Sequence, residues 1–152
     1  MTQLLPFLLG EECYALKLTE IQEIIEEAER HFLPAAPPEI IAAVNVHGRI
    51  LPVLDLVQLL GFVSERIGER MIVLARRDFP VVLAVGELEP LVAVDLDQAT
   101  LTRSDAPGDC ISGVLNWQGR MLSLLDLDSL KKIVEEKCSA TGGGHVASRA
   151  DC

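Results

Sequence analysis

Basic and aromatic residues are scarce in this 152-residue chain. Its 13 lysines and arginines face 23 aspartates and glutamates, which gives a formal net charge of −10. Nucleic-acid affinity depends mainly on cationic contacts to phosphates, so an acidic chain without a basic run argues against DNA or RNA as a partner. Aromatic residues make up only 4% of a chain that is 49% hydrophobic. Valine, isoleucine and leucine must therefore fill the core.

Long hydrophobic runs are also missing. The longest, Met71 to Ala75 and Val81 to Val85, fall far short of the roughly 20 apolar residues that a transmembrane helix needs. The N-terminus shows no charged segment followed by an apolar stretch and a small-residue cleavage site. The sequence therefore predicts a soluble, cytoplasmic protein that does not insert into a membrane.

Motifs for metal, phosphate or nucleophilic chemistry are absent as well. The four cysteines form no C-x-x-C pair and the three histidines are scattered, whereas a zinc site needs four ligands at close spacing. No G-x-G-x-x-G, phosphate loop or G-x-S-x-G occurs. We therefore expect no cofactor, no metal and no catalytic residues.

A twelve-residue repeat is the most informative feature that is present. Residues 45–56 (NVHGRILPVLDL) recur 71 positions later as residues 116–127 (NWQGRMLSLLDL). Two copies indicate duplication of a subdomain, because a solenoid needs at least three stacked units. The repeat predicts two similar lobes, with the copies at 44–60 and 115–131.

Turn and cap positions account for most of the repeated letters. The two glycines supply the positive backbone φ of a tight hairpin turn. The two aspartates come directly before short helices and can accept hydrogen bonds from the unpaired amides there. The residues with these predicted structural roles are Asn45, Gly48, Asp55, Asn116, Gly119 and Asp126.

The duplicated aspartates also raise a hydrolase as a distant alternative, because aspartic proteases build a dyad from one Asp of each lobe. That chemistry needs each aspartate in a short exposed loop, usually followed by Thr or Ser and then Gly. Here Leu56-Val57 follows Asp55, and Leu127-Asp128 follows Asp126. Helix capping explains both residues, so the sequence favours a protein that is not an enzyme.

The remaining pattern is that of a β protein. Short apolar runs separated by turn residues about every 8–12 positions are typical of barrels and sandwiches. Thr19, with Gln22 three residues later, predicts a helix start, although β-branched Ile24-Ile25 also suit a strand. A second helix is predicted to end at about Lys137. Residues 138–152 are polar and glycine-rich, which predicts a disordered tail.

Residues 4 to about 137 resemble the CheW-like domain of bacterial chemosensory coupling proteins. Residues 7–16 (FLLGEECYAL) look like the first hairpin of that family, and residues 21–24 (IQEI) look like its Val-x-Glu-Ile segment. The most specific stretch is Leu33-Pro34-x-x-Pro37 followed by residues 44–56. The order and spacing of these pieces carry the resemblance.

The resemblance implies a mainly β fold. Two SH3-like, five-stranded β-barrel lobes, related by a pseudo-two-fold duplication, would form one domain over residues 1–137, with short helices and a C-terminal helix. It also implies a free-standing, non-catalytic adaptor. Family members link the cytoplasmic tips of chemoreceptors (methyl-accepting chemotaxis proteins) to a CheA-type histidine kinase, whose regulatory domain has this same fold.

The resemblance also implies a receptor-binding groove between the lobes. The family positions map onto Ile21, Glu23, His47 and Val114. At His47 the family nearly always has arginine, and at Gly86 it usually has aspartate. These departures motivate an alternative function, a divergent coupling scaffold of a non-flagellar chemosensory system such as pilus motility or developmental signalling.

Overall fold

The structure, a computed structural model, describes residues 1–26, 30–31, 40–61, 70–96, 101–102 and 110–141. In that part of the chain, twelve strands form two sheets. The strands are β1 (Thr2–Leu9), β2 (Glu12–Lys17), β3 (Ile21–Ile25), β4 (Arg30–His31), β5 (Ile40–Val46), β6 (Arg49–Asp55), β7 (Arg70–Leu74), β8 (Val82–Val85), β9 (Val92–Val94), β10 (Leu101–Thr102), β11 (Ile111–Trp117) and β12 (Arg120–Leu125). Two helices, α1 (Leu56–Leu59) and α2 (Leu127–Thr141), each follow a repeat copy.

The two sheets have the same strand arrangement. The first lobe has the order β4-β5-β6-β8-β7-β3, and the second lobe has the order β10-β11-β12-β2-β1-β9. Each lobe contains five strands of at least three residues and one two-residue edge strand. The first lobe occupies the chain between β2 and β9, so it is inserted within the second. The prediction of two duplicated five-stranded lobes with a C-terminal helix is confirmed.

The repeated hairpins β5–β6 and β11–β12 close with the same two-residue turn. In the first, His47 and Gly48 have φ values of 51° and 85°, and Asn45 Oδ1 accepts a hydrogen bond of 2.9 Å from the Gly48 amide. Positive φ at both central residues defines the turn type whose twist matches paired strands. The second hairpin repeats the arrangement with Asn116, Gln118 and Gly119.

A second correspondence relates the other strands at an offset of 67 residues. The pair Leu5 and Leu16, which links β1 to β2, matches the pair Ile72 and Leu83, which links β7 to β8. The sequence does not reveal this relation, because the two hairpins share an apolar pattern and few identical letters. The duplication therefore extends through both whole lobes.

The helix predicted from Thr19 is wrong. A single 3-10 turn, Leu18–Glu20, is followed directly by β3. The β-branched residues Ile24 and Ile25 pair there with β7, so strand pairing overrides the local helix-start signal. At the other end, α2 continues to Thr141 and includes residues 138–141. The rest of the predicted tail lies outside the described residues.

Three apolar clusters form the core, one inside each lobe and one between the lobes. Along β7, Met71 and Val73 face the first-lobe cluster, whereas Ile72 and Leu74 face the shared cluster. Strands that are buried on both faces need continuous apolar runs, which explains the two longest runs in the sequence. The shared cluster draws on both lobes and both helices and includes Phe7, Leu9, Leu54, Leu59, Leu83, Leu125, Leu130 and Val134.

The turn between β7 and β8 also docks onto α2. Phe79 is buried in the shared cluster. Outside it, Arg76 Nη2 lies 2.8 Å from both Asp78 Oδ2 and Asp128 Oδ1, and Lys131 Nζ lies 3.4 Å from Asp78 Oδ2. Hydrogen bonds from Arg76 lower the pKa of Asp78. Apolar burial and ion pairs thus fix the same turn to the second-lobe helix.

The segment after β8 lies directly against β1. The Gly86 amide donates to the Leu8 carbonyl at 2.9 Å, and the Leu8 amide donates to the Glu87 carbonyl at 2.9 Å. A Cβ atom on Gly86 would lie 2.5 Å from the Leu8 oxygen. This approach explains why the chain carries glycine at this position.

Gly86→Ala should therefore destabilise the protein by about 1–3 kcal/mol, the usual cost of forcing atoms into a packed site. Chemical denaturation measures the change. Thr19→Ala is the matched control, because Thr19 lies 67 positions earlier and is exposed. It should change the free energy of unfolding by less than about 0.5 kcal/mol. Equal stability of Gly86→Ala and wild type would contradict the close approach.

Candidate functional site

The structure brings two of the predicted groove residues into contact. His47 Nε2 lies 2.6 Å from Glu23 Oε1, and the side chains are 74% and 33% exposed, respectively. His47 is at the turn between β5 and β6, and Glu23 is on the edge strand β3. A polar pair on an accessible surface of the first lobe results.

The other two predicted residues flank this pair differently. Ile21 lies on the same strand as Glu23, is half-buried and packs against the shared cluster. A register shift lies between Ile21 and Glu23, which pair with Leu74 and Val73 of β7. Val114 is on β11 in the second lobe, half-buried and opposite Ser123. The receptor-binding role of all four residues remains a prediction.

A cavity of about 230 Å³ lies beside the pair in the first lobe. Four of its lining side chains are arginine or histidine, and none is acidic, in a chain of net charge −10. We call it the first-lobe cavity. Its lining residues are Gln22, Val46, His47, Arg49, Leu51, Leu74, Ala75, Arg76, Arg77 and Pro80.

A second cavity lies beside Arg120, and we call it the second-lobe cavity. Its lining includes Glu11, Glu12, Cys13 and Arg120. Glu89 binds the Arg120 guanidinium through both carboxylate oxygens, with Nη1 to Oε2 at 2.8 Å. These hydrogen bonds lower the pKa of Glu89, whereas burial raises the pKa of the Cys13 thiol. The charge of this arginine is therefore compensated within the chain.

The duplicated aspartates cap helices in the structure. Asp55 is 2% exposed, and its Oδ1 accepts a hydrogen bond of 3.0 Å from the Val57 amide. Burial raises the pKa of Asp55. Asp126 accepts hydrogen bonds from the Asp128 amide at 3.1 Å and from the Ser129 hydroxyl at 3.1 Å. These bonds favour the cap interpretation over the hydrolase alternative.

Two further observations concern the described residues only. No group of three or more His, Cys, Asp or Glu side chains there is arranged to hold a metal ion. No helix in the same part of the chain is both long and apolar enough to cross a membrane.

The sequence reasoning missed the arginines at the two cavities. Arg49 and Arg120 occupy the same position in the repeat, which was a usable signal. Arg77 and Glu89 lie outside the repeat, so no local pattern marks them. Only the fold shows that Glu89 meets Arg120 across 31 residues of chain.

Comparison with known proteins gives consistent matches. The sequence profile of the CheW-like domain matches residues 3–135. The chain is 29% identical over 136 residues to the chemotaxis protein CheW of Thermotoga maritima, covering 88% of each. It is 27% identical over 133 residues to the chemotaxis protein CheW of Rhizobium meliloti, covering 84% of this chain and 86% of that one.

A solved structure shows the same fold. The scaffolding protein TtCheW from Thermoanaerobacter tengcongensis superposes with a TM-score of 0.74 at 20% identity, covering 82% of this chain and 88% of that one. Two duplicated SH3-like lobes around a shared core thus place the protein in a class of β-rich scaffold proteins. The chain belongs to the CheW-like domain family, whose members are scaffold and adaptor proteins of chemotaxis. The resemblance found in the sequence is confirmed.

Two substitutions of Asp55 separate its capping bond from its charge. Folding favours the protonated acid, because the pKa of Asp55 is raised above its ordinary value. This contribution is complete below the unfolded pKa and is lost as the pH rises through the folded pKa. Asp55→Asn keeps a capping acceptor without the charge, so it should equal or exceed wild type in stability at neutral pH. That advantage should shrink on acidification.

Asp55→Ala removes the acceptor and should lose about 1 kcal/mol. Thermal unfolding of the three proteins at roughly pH 4 and pH 7 measures both effects. An Asp55→Asn protein that is less stable than wild type at pH 7, and not at pH 4, would show that the buried charge stabilises the fold.

Proposed function

We propose that this protein couples the cytoplasmic tip of a chemoreceptor to the regulatory domain of a CheA-type histidine kinase, without catalysis of its own. Its place of action would be the cytoplasm. The supporting comparisons are the family match over residues 3–135 and the relatives named chemotaxis protein CheW. The two acidic residues that a hydrolase would use already serve as helix caps.

The contact between Glu23 and His47 is the observation on which the receptor part of this proposal depends. It joins an edge strand to the repeated hairpin turn, at a distance of 2.6 Å and on an accessible surface. Ile21 adds a half-buried apolar side chain on the same strand. An apolar floor with a few charged groups beside it is the arrangement that binds an amphipathic helix in a groove. A receptor tip is a helical hairpin and suits such a surface.

The kinase part rests on the duplicated lobes. A regulatory domain of the same fold would present lobes of matching size and shape to the strand ends of this protein. Two lobes also allow receptor and kinase to bind on different surfaces. An adaptor needs that separation, because both partners must be held at once.

Pull-down with the chemoreceptor and kinase encoded near this protein tests the proposal. We expect the folded protein to retain both. Failure to retain either one, with folding shown by circular dichroism, would overturn it.

Glu23→Lys should weaken receptor binding more than kinase binding, because it reverses the charge beside His47 in the groove. We expect a loss of about tenfold or more in receptor affinity, the usual scale for a charged contact. Isothermal titration calorimetry against each partner measures the two affinities.

Glu26→Lys is the matched control, because it makes the same charge change one residue beyond β3, where Glu26 is exposed and pairs with Arg70 at 2.9 Å. It should have the smaller effect on receptor binding. Equal losses of receptor and kinase binding by Glu23→Lys would count against the placement of Glu23 in the groove.

A further inference from the structure

The two cavities are equivalent under the duplication. Arg49 lines the first and Arg120 the second, at the same position of the repeat, 71 residues apart. Pro80 and Cys13 line them from the matching hairpins, 67 residues apart. The second-lobe cavity therefore shows what an arginine at this position binds when a partner is supplied by the chain itself.

That partner is the carboxylate of Glu89. It holds the Arg120 guanidinium through two hydrogen bonds, one of them 2.8 Å long. Bidentate arginine–carboxylate pairs are among the strongest polar contacts in proteins, because both groups are charged and planar. The pair also leaves Arg120 little tendency to bind another anion.

The first lobe has glutamine where the second has this glutamate. Gln22 lies 67 positions before Glu89 and lines the first-lobe cavity. Its amide donates to Glu23 Oε1 at 3.3 Å and carries no charge. Two equivalent backbone hydrogen bonds of 2.9 Å fix the correspondence: Ala75 to the Glu20 carbonyl, and Leu8 to the Glu87 carbonyl.

Arg49 is therefore left without the carboxylate that its counterpart has. Among the described residues, neither Arg49 nor Arg77 makes an ion pair. The other two charged or titratable groups of the lining are engaged: Arg76 by Asp78 and Asp128, and His47 by Glu23. Two guanidinium groups thus remain available at one cavity of an acidic protein.

We propose that the first-lobe cavity receives an aspartate or glutamate side chain of the bound chemoreceptor tip, which takes the place that Glu89 occupies in the second lobe. The inference rests on the proposed function and adds the chemistry of recognition to it. A volume of about 230 Å³ suits one acidic side chain. It is smaller than the roughly 300–1,000 Å³ of typical small-molecule sites.

The position of Gln22 connects the cavity to the predicted groove. Gln22 lies between Ile21 and Glu23 on β3, so a helix lying along that strand passes over the cavity. The rest of this acidic chain repels negatively charged partners. A local pair of free arginines therefore fixes where an acidic side chain can dock and in which orientation.

Two variants test the proposal through one contact. Arg49→Gln removes the guanidinium, and Gln22→Glu supplies an internal carboxylate that competes for it. Each should weaken binding of a soluble chemoreceptor tip fragment about tenfold, measured by isothermal titration calorimetry. The double variant should bind no more weakly than Arg49→Gln alone, because the competing carboxylate then has no arginine to occupy.

Arg120→Gln is the matched control in the other lobe. It breaks the pair with Glu89 but should leave receptor affinity within about twofold of wild type, because that guanidinium is already occupied. Wild-type affinity in both Arg49→Gln and Gln22→Glu would overturn the inference while leaving the proposed function standing. Failure of the wild-type protein itself to bind the fragment would overturn the proposed function, and the inference with it.

Stability gives a readout that does not depend on the receptor. Gln22→Glu should raise the thermal unfolding midpoint if its carboxylate reaches Arg49, and Arg49→Gln should abolish that rise. No rise would remove the geometric basis of the proposal. Sedimentation of each variant identifies the other occupant: a loss of self-association without a loss of receptor binding would assign the cavity to a second copy of this chain.

Discussion

Packing of the two lobes against one shared core is the constraint on which the rest of the structure depends. The strands that face it are covered on both sides, so they must be apolar at every position, as in Met71 to Leu74. Capping aspartates then set both helices against this core. The approach of Gly86 to Leu8 closes the remaining gap between the lobes. Little freedom is left for the lobes to move apart, so their surfaces keep a fixed relation.

How much the sequence could predict follows from which interactions need particular residues. The turn at Gly48 and the cap at Asp55 require specific chemistry, and their recurrence at Gly119 and Asp126 made the duplication visible. The relation between β1–β2 and β7–β8 requires only apolar side chains, so the letters diverged and the sequence concealed it. Local signals also failed at Thr19, because pairing of β3 with β7 outweighs a helix start. The pairing of Glu23 with His47, and of Glu89 with Arg120, depends on tertiary packing alone.

Duplication gave this protein two copies of one scaffold, and the differences between the copies carry its chemistry. The backbone positions of the cavities correspond residue by residue. A single exchange of carboxylate for amide, Glu89 against Gln22, changes a self-satisfied arginine into an available one. A change of this kind costs the fold little, because exposed ion pairs contribute modestly to stability. Binding specificity can therefore diverge between the lobes without a cost to the core.

The insertion of the first lobe has a mechanical consequence. Its chain leaves from β2 and returns at β9, and these strands are the two neighbours of β1. Both tethers of the lobe are therefore fastened to one strand, as a handle is fastened at both ends to the same plate. A pull on the first lobe is shared by two rows of backbone hydrogen bonds, and neither lobe can swing about a single connection. Such a bracket transmits displacement between two bound partners instead of absorbing it.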